Sequence, residues 1–150
     1  MGPILATVDF SDATPGVINT ARDLAQTFSV KLYLLHVAGS KPDTAEHTTK
    51  PRSNRQLAAE AFRWEHRTLQ ALAAPLQSAC PLRVTPLLIQ GLPGEKILQE
   101  SRRLDAGMIV MGTHGHGKLY DLLMGSVSRE VLQSAFCPVV MVPYQLKTLG

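Results

Sequence analysis

The sequence is poor in the residues that point to export, to disulfide stapling or to nucleic acid. Its two cysteines, Cys80 and Cys137, lie far apart without a CxxC pair, in a chain of 150 residues that is too large to need a disulfide. We therefore expect reduced thiols and a cytoplasmic location. Aromatic residues make up 5% of the chain, and the 15 Lys and Arg form no basic run. Nucleic-acid binding is disfavoured on both grounds, despite the net charge of +3.

Long apolar runs are also absent. No stretch approaches the roughly eighteen apolar residues of a membrane span, and the apolar residues 4–8 are not preceded by a charged segment. We expect neither export nor membrane insertion. A chain of 150 residues that is 45% hydrophobic can bury one sizeable core, so we predict a single domain over residues 1–150.

Short apolar runs alternate with segments of helical periodicity. Helices are predicted over residues 15–28, 55–76 and 95–104, and from Gly125 onward. The alternation predicts an α/β fold with a five-stranded parallel sheet. The five predicted strands are residues 4–8, 31–37, 82–89, 108–111 and 139–142.

Local signals refine this prediction. Thr14 and Pro15 are typical of an N-cap followed by the first helical residue. Pro86 removes a hydrogen-bond donor from the third strand, which predicts that this strand lies at an edge of the sheet. The last strand, residues 139–142, is apolar on both faces. If it forms the other edge, a second copy of the chain could pair with it.

Two segments do not fit the regular pattern. Residues 38–54 contain little to bury and are too long for an ordinary connection, so we expect a mobile loop, with a lid or docking segment as the alternative. Trp64 falls on the side of its helix opposite the apolar face. A neighbouring loop packed on Trp64 is the favoured interpretation, and contact with a partner is the alternative.

The most specific signal is a glycine pattern after the fourth strand. Gly112, Gly115, Gly125 and Ser126 form G-x2-G-x9-G-S. Glycine lets a ligand approach the backbone closely, and uncovered amides on a loop and at a helix start can donate to phosphate oxygens. We therefore predict a phosphate site here, with Ser126 and Ser128 at the helix start. An ordinary serine cap is the alternative for these serines.

Asp9 follows the first strand and belongs at the same edge of the sheet if the first and fourth strands are neighbours. Its carboxylate suits a ribose hydroxyl or a metal ion on the phosphates. The alternative is a capping role, together with Ser11 and Asp12, at the start of the nearby helix.

Competing motifs fail at single positions. A Walker A loop would need Ser or Thr where Leu119 stands, and a dinucleotide fingerprint would need glycine where Tyr120 stands. His36, His114 and His116 lack a zinc-site spacing, so a histidine metal site is disfavoured and the metal remains unknown. No nucleophile motif is present, and no catalytic residue is predicted.

Four segments, residues 8–11, 111–115, 125–128 and 137–143, together resemble the universal stress protein family over essentially the whole chain. The resemblance implies a three-layer α/β/α fold of Rossmann-like, adenine nucleotide alpha hydrolase-like type, with strand order 3-2-1-4-5. It also implies a homodimer joined through residues 139–142 and, for members with G-x2-G-x9-G-(S/T), ATP binding. Gly107 departs from the family, which often has aspartate there, and is expected to loosen a turn.

The same resemblance assigns residues to parts of the nucleotide. The adenosine end would contact Thr7, Val8, Asp9 and Val37, the ribose and phosphates Met111, Gly112 and Gly115, and the phosphate tail Gly125, Ser126, Val127 and Ser128.

Two function hypotheses follow. The first is a dimeric cytoplasmic regulator that binds ATP or AMP, with Mg or Mn as the candidate metals. In this hypothesis nucleotide occupancy orders the glycine loop and residues 38–54 toward an unknown protein partner. The second is a slow ATPase or a phosphotransferase that phosphorylates itself on Ser126, Ser128 or a nearby threonine.

Overall fold

The computed structural model describes residues 1–39, 54–79, 83–113 and 124–144. Strands and helices alternate along them, as the sequence predicts. The elements are β1 (Ile4–Thr7), α1 (Thr14–Phe28), β2 (Leu32–Ala38), α2 (Asn54–Ala79), β3 (Val84–Gln90), α3 (Pro93–Arg103), β4 (Met108–Gly112), α4 (Ser126–Ser134) and β5 (Val139–Val142).

The five strands form one parallel sheet in the order β3-β2-β1-β4-β5. The predicted fold and strand order are therefore confirmed. β3 lies at one edge, as Pro86 indicates, and β5 lies at the other. β1 and β4 are central neighbours, so the direction of winding reverses between them.

Helices cover both faces of the sheet. Alternate strand residues point to opposite faces, and in β1 this places Ile4 and Ala6 in one core and Leu5 in the other. The first core is closed by the apolar sides of α1 and α2, through residues such as Val17 and Leu69. The second is closed by α3 and α4. This three-layer arrangement leaves the ends of the strands as the places where ligands can enter.

The start of α1 differs from the prediction. Thr14 is the first helical residue and the preceding Ala13 is the N-cap, with no side-chain capping bond. Ser11 supplies the acceptors instead, since its carbonyl accepts from the Thr14 N–H at 3.0 Å and its Oγ accepts from the Ala13 N–H at 3.4 Å. The Thr14 hydroxyl does not cap the helix, and it is buried without a hydrogen-bond partner among the described residues.

Trp64 is covered only in part. The ring of Phe10, in the loop after β1, meets it edge to face with centroids 5.7 Å apart. The favoured interpretation, a loop packed on Trp64, thus holds for one side of the ring, while 54% of the residue stays exposed. Leu57, two turns earlier on α2, is exposed as well.

Gly107 has a packing role that the sequence does not reveal. Its N–H donates to the Pro3 carbonyl at 2.9 Å, and a Cβ built on it would lie 2.8 Å from the Gly2 carbonyl oxygen. The glycine therefore lets the chain before β1 pass against the chain before β4. The sequence predicts that Gly107 loosens a turn, whereas the structure shows that it permits the close contact of two backbone segments.

Some expectations lie outside the described residues. They concern Gly115, the histidines at 114 and 116, and all of the 38–54 connection except its ends. Within the described part, no helix combines the length and apolar character required to cross a bilayer.

A crevice at the carboxyl ends of the strands

A crevice of about 410 Å³ lies where the winding of the sheet reverses. It is formed by the carboxyl ends of β1, β2 and β4 and by the first turns of α1, α3 and α4. Its volume is within the range of small-molecule sites. The lining residues are Thr7, Val8, Asp9, Ala13, Thr14, Val17, Leu35, His36, Val37, Pro93, Ile97, Met111, Gly112, Gly125, Ser126, Val127 and Ser128.

The structure brings the predicted site residues together. The ones that it describes all line this crevice, although they come from four separate parts of the chain. They are Thr7, Val8, Asp9, Val37, Met111, Gly112, Gly125, Ser126, Val127 and Ser128. The remaining predicted residue, Gly115, lies outside the described part.

The start of α4 presents main-chain donors to the crevice. The first hydrogen bond within this helix runs from the Arg129 N–H to the Gly125 carbonyl at 3.0 Å. The preceding amides, those of Ser126, Val127 and Ser128, therefore have no acceptor within the helix. The Gly125 amide is different, since it donates to the Thr113 carbonyl at 2.8 Å. Three amides without an acceptor in the helix or a main-chain acceptor elsewhere in the described residues thus lie at a helix N-terminus, where the helix dipole favours an anion.

The Ser128 hydroxyl holds the two sides of the glycine pattern together. Its Oγ is 2.8 Å from the Gly112 carbonyl oxygen and 3.1 Å from that of Thr113, and Ser128 is 3% exposed. A hydroxyl has one proton, and here that proton is donated to the end of β4. The Ser128 amide can therefore donate to an anion, whereas its hydroxyl proton is already used. The same hydrogen bond disfavours the Ser128 hydroxyl as a nucleophile.

Asp9 takes part in the loop before α1. Its Oδ1 accepts a hydrogen bond from the Ser11 N–H at 3.0 Å, so the local role weighed for this carboxylate is present. Asp9 also lines the crevice, beside the end of β1. The two roles are compatible, because a carboxylate offers two oxygens with several acceptor positions.

At the opposite end of the crevice, the hydrogen-bond ladder between β1 and β2 stops before β2 ends. The Val8 N–H donates to the Leu35 carbonyl at 2.9 Å, so the odd-numbered residues of β2 face β1. Even-numbered residues face β3, as shown by the Gly91 N–H, which donates to the Ala38 carbonyl at 3.0 Å. Val37 therefore faces β1, but β1 ends at Thr7. The N–H and C=O of Val37 have no hydrogen bond to any described residue on that side.

His36 occupies the wall beside the end of this ladder. Its Nδ1 lies 2.8 Å from the Val8 carbonyl oxygen, and its ring stacks on Phe10 with centroids 4.1 Å apart. The Nε2 atom is buried, 3.8 Å from Glu65 Oε2, and makes no hydrogen bond to a described residue. Phe10 has a φ of 61°, which turns the chain away from β2 directly after Asp9.

Seven lining residues were not predicted as part of the site. They are Ala13, Thr14, Val17, Leu35, His36, Pro93 and Ile97. The start of α3 follows β3, whose carboxyl end lies at the same edge of the sheet, so the parallel topology is a signal for Pro93. His36 was considered as a metal ligand, and its actual partner, the Val8 carbonyl, is a main-chain atom that a spacing pattern does not reveal. Residues 1–39, 54–79, 83–113 and 124–144 contain no cluster of three or more His, Cys, Asp or Glu able to hold a metal ion.

Comparison with known proteins agrees with the fold. The model of the universal stress protein family matches residues 1–143. The "Universal stress protein in QAH/OAS sulfhydrylase 3'region" of Thermus aquaticus is 34% identical over 139 residues, which cover 93% of this chain and 96% of the relative. The solved structure of the hypothetical protein MJ0577 superposes with a TM-score of 0.77 at 20% identity, covering 97% of this chain and 98% of that chain.

Two similar structures contain nucleotides. One is the universal stress protein from Archaeoglobus fulgidus in complex with dAMP, with a TM-score of 0.66 and 22% identity, covering 95% of this chain and 98% of that one. The other is a universal stress protein in complex with cAMP, with a TM-score of 0.68 and 17% identity, covering 95% of this chain and 96% of that one.

Proposed function

Because the chain belongs to the universal stress protein family, we propose that it binds an adenine nucleotide in the crevice between β1 and β4. The phosphates would lie on the first turn of α4 and the base at the end of β2. In this pose the predicted residues keep the parts of the nucleotide assigned to them, with Val37 at the base, Asp9 near the ribose and Ser126, Val127 and Ser128 at the phosphates.

One observation carries the proposal. Main-chain groups without a hydrogen-bond partner among the described residues line the crevice at both ends, at the start of α4 and at Val37. Donors and acceptors left unpaired around one cavity can be paired by a polar ligand, and a hydrogen bond to a charged group contributes about 1.5–3 kcal/mol. The buried Thr14 hydroxyl, also without a partner among the described residues, lines the same cavity.

The similar structures with dAMP and cAMP support an adenine nucleotide as the class of ligand. ATP is the member of the class that we propose, because the glycine pattern G-x2-G-x9-G-S provides room and donors for a phosphate chain beyond the first phosphate. Mg²⁺ or Mn²⁺ would accompany ATP with Asp9 as the carboxylate ligand in reach of the site.

The proposed role is regulatory. Nucleotide occupancy would change what a homodimer presents to a protein partner in the cytoplasm. A ligand can shift such an equilibrium only if it has different affinities for the two states. Amide exchange of the glycine loop and of residues 38–54 would then differ with and without ATP, and identical exchange would rule out the switch while leaving the site intact.

The first experiment identifies the ligand. Mass spectrometry of material released from the purified protein separates ATP, AMP and an empty site, and calorimetric titration of the stripped protein with ATP and AMP follows. We expect heat from at least one adenylate, and none from either would reject nucleotide binding. ATP turnover well above that of a Gly125→Ala, Ser126→Ala double variant would support the enzymatic alternative instead.

A matched pair of variants tests the amide cradle. Gly125 has φ −61° and ψ 162°, which suits a residue before proline, and Ser126 is the first helical residue, where proline is favoured. Ser126→Pro therefore removes one amide donor with little strain, whereas Ser126→Ala removes only the hydroxyl. We expect ATP affinity to fall about tenfold for Ser126→Pro, because hydrogen bonds to charged groups contribute about 1.5–3 kcal/mol.

Ser126→Ala is the control, and adenosine without phosphate is the second one. We expect Ser126→Ala to bind ATP within about threefold of the wild type, and both variants to bind adenosine as the wild type does. Equal ATP affinity in Ser126→Pro and the wild type would place the phosphates elsewhere.

A further inference from the structure

A buried imidazole determines which main-chain groups are open at the base end of the crevice. His36 is 8% exposed, and its Nδ1 lies 2.8 Å from the Val8 carbonyl oxygen. A carbonyl can only accept, so Nδ1 carries a proton and donates it. This hydrogen bond joins the side chain of one strand to the main chain of its neighbour at the point where their pairing stops.

The imidazole takes the place of a main-chain donor. After the bond from the Val8 N–H to the Leu35 carbonyl, a parallel ladder would continue with a bond from the Val37 N–H to the Val8 carbonyl. That bond is missing, and β1 ends at Thr7. The Val8 carbonyl is satisfied by His36 instead, and the Val37 N–H remains available on the crevice side.

The packing around the ring fixes this arrangement. Phe10 stacks on the imidazole at 4.1 Å, and Trp64 supports Phe10 from its edge at 5.7 Å. On the other side, Glu65 Oε2 lies 3.8 Å from Nε2, too far for a hydrogen bond but close enough to restrict the ring. An aromatic ring held by its neighbours keeps its hydrogen bond at low entropic cost.

We propose that His36 is a positioning residue for the nucleobase. It acts by holding the Val8 carbonyl away from the Val37 N–H, which leaves the main-chain edge of Val37 unpaired among the described residues. That edge offers one donor and one acceptor side by side. Adenine presents the complement, an acceptor at N1 and a donor at N6, whereas hypoxanthine presents a donor at N1 and an acceptor at O6. The inference rests on the proposed function and adds to it the origin of base selectivity.

The variants are His36→Leu and His36→Asn. Leucine cannot donate, whereas the Nδ2 of asparagine is as many bonds from the backbone as the Nδ1 of histidine and can replace it. Calorimetry would compare AMP, IMP and ribose 5-phosphate. For the wild type and His36→Asn we expect AMP to bind more tightly than IMP. For His36→Leu we expect a loss of about tenfold for AMP and little change for the other two compounds.

Three outcomes overturn the inference. They are an unchanged AMP to IMP ratio in His36→Leu, an equal loss for AMP and ribose 5-phosphate, which would indicate a general structural effect, and no rescue in a folded His36→Asn. Thermal unfolding monitors the folding of both variants.

Amide exchange in the nucleotide-free protein separates this inference from the proposed function. In the wild type we expect the Val37 amide to exchange faster than the Leu35 amide, which lies within the ladder. In His36→Leu the Val8 carbonyl is free to accept from Val37, so the Val37 amide should become protected. Unchanged exchange there rejects the role of His36, whatever the protein binds. Absence of binding of both ATP and AMP by the wild type rejects the proposed function instead.

Discussion

The Ser128 hydroxyl shows how one side chain can shape a crevice through bonds within the protein. It donates to the carbonyls of Gly112 and Thr113 and so connects the end of β4 to the start of α4. The sequence predicts Ser128 as a site residue and the structure places it in the crevice lining, yet its hydroxyl could as well have pointed into the crevice. A pattern of residue types does not determine which of several acceptors a hydroxyl chooses, because that choice depends on distances set by the fold.

Removing this hydroxyl should destabilise the protein. Ser128→Ala leaves the Gly112 carbonyl without its buried donor, and we expect the free energy of unfolding to fall by about 1 kcal/mol. Ser126→Ala, which removes an exposed hydroxyl two residues earlier, should change it by less than about 0.5 kcal/mol. Denaturant unfolding of the two variants measures both values, and equal effects would contradict the role of Ser128 described above.

Cys137 should react slowly as a thiol. Burial raises the pKa of Cys137, and the polar backbone of Cys137 and Ile109 beside the thiol offsets this only in part. A raised pKa leaves less thiolate at neutral pH, and the thiolate is the reactive form. In a Cys80→Ser background, iodoacetamide should modify Cys137 more slowly in the folded protein than in urea. In the folded protein, the rate of modification should rise only above the pH at which an ordinary thiol ionises. Equal rates in the folded and the urea-unfolded protein would contradict the raised pKa.

Among the elements, the contact between the chain before β1 and the chain before β4 depends on a missing side chain. A Cβ at Gly107 would lie 2.8 Å from the carbonyl oxygen of Gly2 and 2.9 Å from the amide nitrogen of Gly2. These are backbone atoms, which cannot move aside as the end of a flexible side chain can. We expect Gly107→Ala to lower the free energy of unfolding by about 1–3 kcal/mol.

Gly39→Ala is the matched control, since a Cβ there would meet no atom of the described residues within 4 Å. It should change stability by less than about 0.5 kcal/mol. If thermal and denaturant unfolding show no difference between Gly107→Ala and Gly39→Ala, the close approach before β4 has no energetic weight.

Helices and strands were predictable because each depends on a local pattern. The apolar period of α2 predicts that helix in spite of Pro75, and Pro86 predicts the edge position of β3. The first residue of α1 was predicted wrongly, because Ser11 provides the acceptors that Thr14 was expected to provide. Capping depends on the path of the preceding loop, and the turn at Phe10, with φ 61°, is not evident from residue types.

For the whole molecule, the strand order puts β5 at an edge of the sheet, with no described strand on its outer side. The carbonyls of Pro138 and Val142 accept from β4 at 2.9 and 3.1 Å, so the even-numbered residues of β5 face β4. The odd-numbered Met141 therefore directs its N–H outward, where a second copy could accept it. Exposed Phe136 and Tyr144 flank the strand and enlarge its apolar surface.

Met141→Pro tests the proposed dimer. Proline removes the outward N–H and keeps the bonds to β4, because prolines are tolerated at strand edges. We expect light scattering after size-exclusion chromatography to give a monomer for Met141→Pro and a dimer for the wild type and Met141→Ala. Retained thermal unfolding would show that the variant is folded, and a folded dimeric Met141→Pro would exclude this edge as the interface.

The position of the crevice was predictable from the sequence because it follows from topology. Parallel strands place Asp9 and Gly112 at one edge of the sheet, and the glycine pattern marks the same place. The bare edge of Val37 was not predictable from these residues, since it arises from the early end of β1 and from the imidazole that replaces a ladder bond.

A crevice lined by peptide donors and a peptide acceptor has a genetic consequence. Side chains at Ser126, Val127 and Val37 can vary while these main-chain groups persist, so that substitutions there leave the proposed contacts in place. Systematic replacement by alanine would leave these groups untouched and would report the region as unimportant. Systematic replacement by proline, which deletes a peptide hydrogen at each step, would reveal it.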